Sequence, residues 1–197
     1  MSREFSEYTG QFFWSFKEMD NVNYNFAIIE TLYKAKKQDH SNENFNKPII
    51  IILLAIIECS LYDFFMRISG HTRDPLPNLK KSIVYFFKST KETDELKTLI
   101  GRIKSQNLLV VKPGDSLYED LEFLRKIRNR IHIQNRNHEL DADKKTDYYK
   151  DEYFAYTDEI LEKAQDCFEK VIGTLCNVYP RWNKSPLPMI DFPRPWL

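Results

Sequence analysis

Ser116-Leu117-Tyr118-Glu119-Asp120-Leu121-Glu122-Phe123-Leu124-Arg125-Lys126-Ile127-Arg128-Asn129-Arg130-Ile131-His132 reads as one amphipathic helix. At about 100° per residue, Leu117, Leu121, Leu124, Ile127 and Ile131 share one sector. Arg125, Arg128, Asn129 and His132 fall within an adjoining arc of roughly 100°, so a polar cluster flanks the stripe that must be buried. Lys112-Pro113-Gly114-Asp115 interrupts whatever precedes it, and Ser116 followed by Glu119 is a capping-box pattern. The helix is therefore predicted to start at Ser116 and to run past His132.

The rest of the chain carries the same period. Apolar residues recur every three or four positions in long segments that only five glycines interrupt. Helices are predicted over about 22–38, 48–69, 79–89, 93–105 and 151–179. Pro48 suits a first helical turn and Gly70 a stop. His71-Thr72-Arg73-Asp74-Pro75-Leu76-Pro77 is a loop, because two close prolines remove helical donors, and Asn78 is placed to cap the next helix. Thr93 opens the helix after that, and Leu108 to Val111 reads as a short extended piece. Asn135 to Asp147 reads as an exposed connection. Phe154, Ile160, Leu161, Phe168, Val171, Ile172 and Leu175 form the stripe of the last helix. Pro180 to Leu197 holds five of the nine prolines, interleaved with Trp182, Phe192 and Trp196, and cannot continue a helix. Its aromatics are expected to pack back on the bundle or on a partner subunit. The expectation is an all-α protein, an antiparallel bundle of about five helices in a single domain over 1–179, with a Pro- and aromatic-rich tail over 180–197.

Composition narrows the function classes. Twenty-nine basic residues balance twenty-nine acidic ones, so nucleic acid would have to be met by a local patch rather than a global field. Three cysteines, none in a CxxC pair, and an N-terminus without a signal-peptide pattern point to a reduced, cytoplasmic protein. The strongest apolar run, Ile49 to Ile57, is broken by Glu58 well short of the roughly 20 residues a bilayer span needs, so a core helix and no membrane association are expected. No glycine-rich phosphate loop, no GxSxG elbow and no His/Cys or multi-carboxylate cluster of metal-ligand spacing is present. No cofactor and no metal are expected.

The polar arc has the chemistry that metal-free RNA cleavage requires. The neighbouring 2′-hydroxyl is the nucleophile, so the protein must move protons and stabilise charge on phosphorus. Histidine titrates near neutrality, and a guanidinium stays charged and offers a planar fork to phosphate oxygens. The same arc also fits a solvated helix face whose arginines pair with Glu119, Asp120 and Glu122.

Leu124-Arg125-Lys126-Ile127-Arg128-Asn129-Arg130-Ile131-His132 resembles the signature helix of the HEPN superfamily, an arginine followed after four to six residues by histidine. Arg125 leaves six intervening residues; Arg128, with the family-like Asn129 after it, leaves three. Ile52 to Phe65 is similar to the early helix of that family, in which an acidic residue, here Glu58, sits in an apolar stripe; Glu58 either pairs with Arg125 or Arg128 across the bundle or stands unpaired at a helix edge. The resemblance implies a metal-independent endoribonuclease with a composite site at a homodimer interface, acting as a toxin or in antiviral defence, with RNA as substrate and an antitoxin or other defence protein as partner. It implies His132 as acid, base or 2′-hydroxyl-orienting group, Arg125 and Arg128 as phosphate holders, Asn129 as their support, and Glu58 as a supporting residue. The alternative is a related module without catalysis that binds RNA or a nucleotide, or dimerises beside an effector; the third is a helical interaction protein that binds through its tail.

Overall fold

The computed structural model describes residues 16–39, 43–70, 79–109, 111–129, 155–179 and 195–196. Among them are six α-helices and no strand, an all-α bundle: α1 (Phe16–Gln38), α2 (Asn46–Gly70) after a 3₁₀ turn at Glu43–Phe45, α3 (Lys81–Ser89), α4 (Leu96–Ser105), α5 (Leu117–Arg128) and α6 (Asp158–Val178).

Helix α2 is the axis of the bundle, and α1, α3, α4, α5 and α6 all pack on it. By length and composition alone it could cross a membrane. Ile50, Leu53, Leu54, Ile57, Leu61 and Phe64 nevertheless have no exposed surface, because the other helices cover them. It also buries polar groups that would be costly in lipid. Arg67, 4% exposed, donates from Nη2 to the Tyr179 carbonyl at 3.1 Å and so satisfies an orphan acceptor at the end of α6.

Several boundaries differ from the sequence expectation, each for a local reason. α1 begins at Phe16, six residues ahead of Val22, the first buried position of the stripe Val22, Phe26, Ile29, Tyr33. α3 starts at Lys81 rather than Leu79, because Lys80 is still extended (φ −69°, ψ 143°); Asn78 lies outside the described residues. α4 starts at Leu96 rather than Thr93, since the Thr93 hydroxyl accepts the Glu95 amide at 3.2 Å in a local turn instead of capping a helix. α6 starts at Asp158, not 151, because Thr157 is its cap and accepts from the Ile160 amide. Phe154 lies outside the described residues.

Of the extended piece expected over Leu108 to Val111, residues 108, 109 and 111 are not in a strand, and Val110 lies outside the described residues. Asn107 takes the left-handed conformation (φ 49°), its amide reaches the Lys104 carbonyl at 3.0 Å, and the Leu108 amide reaches Ile103 at 3.1 Å. That is the Schellman closure of α4, which turns two buried leucines into the core. Helix α5 starts where expected but without the capping box. Asp115 Oδ1 accepts the Leu117 amide at 3.1 Å, Ser116 donates to Asp120, and Glu119 pairs with Lys104 at 2.7 Å.

Two lysines of α6 fix the start of α5. Lys163 meets Asp120 at 2.6 Å and Lys170 meets Asp115 at 2.9 Å. At the far end of the chain, Trp196 seats on Tyr33 and Phe168, each with ring centroids 5.7 Å apart. This tail aromatic packs on its own bundle.

Candidate functional site

The C-terminal end of α5 presents two arginines in unequal settings. Arg125 is 8% exposed and closed in a two-point pair within its own helix, donating from Nε and Nη2 to Glu122 at 3.0 and 2.6 Å. Those hydrogen bonds, and then its charge, hold the Glu122 carboxyl below the usual carboxylate range. Its planar fork is thus committed to a neighbour one turn away.

Arg128 instead reaches across to α2. Its Nη1 donates to Glu58 Oε2, and both side chains keep about a quarter of their surface exposed (26% and 25%). Between the two arginines that sequence left open, Glu58 meets Arg128. Only one terminal nitrogen is drawn into this pair, so Nη2 and Nε of Arg128 stay outside it. Leu124 and Ile127 on the same helix are fully buried and lock its rotation, which sets Arg128 at the edge of the core and not within it.

Asn129 follows directly with helical dihedrals (φ −64°, ψ −12°), and its amide bonds to the Arg125 and Ile127 carbonyls. Its backbone therefore continues the turn that carries Arg128. His132, the fourth candidate, lies outside the described residues, as do Arg130 and Ile131.

Sequence reasoning missed the group that ties this end down. Tyr156, 5% exposed, donates its hydroxyl to the Ile127 carbonyl at 3.2 Å. The Lys47 ammonium stands 5.5 Å from the centre of the Tyr156 ring. Two residues on, Asp158 Oδ1 accepts from Lys36 at 2.7 Å and from Asn46 at 2.9 Å, and the Asp158 amide donates to Glu43. The Lys36 hydrogen bond is the main reason the Asp158 carboxyl sits below its ordinary range. Thr157-Asp158-Glu159, a cap followed by acidic residues, was the readable sign of this junction.

Among the described residues no three His, Cys, Asp or Glu side chains are grouped as a metal site. What the arrangement offers chemically is a partly exposed, permanently charged fork, braced by a carboxylate from another helix. Such a fork suits an anionic oxygen. No protein family, curated protein or solved structure matches this chain in comparisons of sequence and structure.

Proposed function

We propose that this chain is a metal-independent endoribonuclease of HEPN type, with Arg128 as the phosphate-holding arginine and Arg125 as a structural one. The observation that carries this reading is the inequality of the two guanidiniums. Arg125 is buried in a bidentate pair, whereas Arg128 is oriented by Glu58 through one nitrogen and keeps donors for a phosphate. Asn129, the next residue, would add a neutral donor, and His132, four positions after Arg128, supplies proton transfer.

In the reaction the 2′-hydroxyl loses its proton and attacks the adjacent phosphorus, and the 5′-oxygen of the next nucleotide leaves with a proton. A 2′,3′-cyclic phosphate and a 5′-hydroxyl result. The histidine serves one proton transfer. Arg128 stabilises the charge that gathers on the non-bridging oxygens in the transition state. The composite site between two copies, the toxin or defence setting and a neutralising partner belong to the same reading and rest on the family resemblance alone.

A second reading, a binding module without catalysis, is favoured by the pairing of both arginines with the chain's own carboxylates. Cleavage of RNA in EDTA by the wild type, Arg125→Met and Arg128→Met separates the two. The nuclease reading expects Arg128→Met to lose about 100-fold or more, as removal of one transition-state donor does. Arg125→Met is expected to lose stability more than rate. Binding without cleavage by the wild type selects the second reading.

A further inference from the structure

The hydroxyl of Tyr156 points at the turn of α5 that carries Arg128. Ile127 is fully buried and precedes Arg128, and its carbonyl lies in the last turn of α5, where the Asn129 amide also reaches it. Tyr156 supplies a donor to that carbonyl from a residue 29 positions later. The ring carrying it is held in turn: it is buried, Lys47 of α2 stands over it, and the neighbouring Thr157 and Asp158 are fixed by the α6 cap and by Lys36, Asn46 and Glu43. Four elements, α1, the 3₁₀ turn, α2 and α6, thus meet around residues 156–158, and the Tyr156 hydroxyl touches the peptide unit next to Arg128.

We propose that Tyr156 is a positioning residue: its hydroxyl fixes the end of α5 so that Arg128 keeps its reach to Glu58 and to an anionic phosphate oxygen. It touches no substrate and acts through the backbone. A turn that frays at Ile127 lets the guanidinium sample many directions, and a misplacement of about 1 Å is enough to cost a large share of rate. In its activity arm the proposal rests on the nuclease reading; in its structural arm it does not.

The test compares Tyr156→Phe with Tyr33→Phe. Tyr33 is also buried and its hydroxyl accepts from Gln165, but it lies on α1 and touches α6 and Trp196 rather than α5. It is the control for losing a buried hydroxyl bond as such. The Nε–H signal of Arg128 and the exchange of the Asn129 amide are followed by NMR in the full chain, with cleavage kinetics on RNA alongside. Tyr156→Phe is expected to speed Asn129 exchange and lower kcat, each by about fivefold to tenfold, the worth of one neutral hydrogen bond, with KM within about twofold. Tyr33→Phe is expected to leave both unchanged. Arg128 and Asn129 signals in Tyr156→Phe that match the wild type overturn the proposal, as does an equal response to Tyr33→Phe. A wild type that cleaves nothing overturns the nuclease reading, and the NMR comparison then decides the positioning role by itself.

Discussion

The pair between Glu58 and Arg128 is where fold and candidate chemistry meet, and a double-mutant cycle measures it. Glu58→Gln and Arg128→Met keep most of each side chain's volume while removing one charge. Exposed ion pairs couple by about 0.2–1 kcal/mol, whereas breaking a fully buried pair costs about 3–5 kcal/mol. This pair joins α2 to α5 with about three-quarters of each side chain covered, which places its coupling between those limits at about 1–2 kcal/mol. For a chain of this size each kcal/mol moves the melting temperature by about 2–4 °C, so either single variant should melt about 3–6 °C lower. The double variant should melt well above the sum of the two losses. Urea unfolding of all four proteins gives the coupling. A value within about 0.3 kcal/mol of zero would mean that the two residues act independently and that Glu58 does not brace the arginine.

Three further outcomes follow from the packing and the titrating groups. Phe168→Ala removes a ring that is 1% exposed and contacts both Phe26 and Trp196; it should cost about 3–5 kcal/mol in urea unfolding and red-shift tryptophan emission. Burial pushes the thiols of Cys167 and Cys176 up to about 12, so timed alkylation at pH 8 should leave both unmodified until denaturant is added. Being raised, these two groups favour the fold fully below their ordinary thiol range and lose that contribution as pH climbs toward 12, which alkaline melts should register. Glu122 and Asp158, held low chiefly by hydrogen bonds from Arg125 and Lys36, work in the opposite sense. Their contribution is present above the usual carboxylate range and is lost as pH falls through their lowered values, so melts taken downward from about pH 5 should show falling stability, and 1 M salt should shrink the effect.

Periodicity carried most of the fold, because burial on a helix repeats every three to four residues whatever the tertiary arrangement. Val22, Phe26, Ile29 and Tyr33, or Leu117, Leu121, Leu124 and Ile127, are buried as their spacing requires. Ends were less legible, because a capping oxygen has several amides within reach. Thr93 took the amide of Glu95 and Ser116 turned to Asp120, while Thr157, hidden inside an apparently continuous pattern, became the true start of α6. Asn107 ended α4 by a left-handed turn where the apolar run Leu108 to Val111 suggested a short extended piece. At the site, one-dimensional spacing put Arg125 and Arg128 on the same arc and could not rank them. The difference arises from what each meets: Glu122 one turn away for Arg125, and Glu58 seventy positions away for Arg128. Tyr156 was invisible for the same reason, since nothing local announces a hydroxyl that serves a carbonyl 29 residues back.

The most direct measurement is the end chemistry of RNA incubated in EDTA with purified wild type and, in parallel, His132→Ala, using total RNA and one defined tRNA. The account predicts fragments ending in 2′,3′-cyclic phosphate from the wild type alone, with the variant folded and melting within about 2 °C of it. Intact RNA in both lanes, or equal cutting in both, would contradict it.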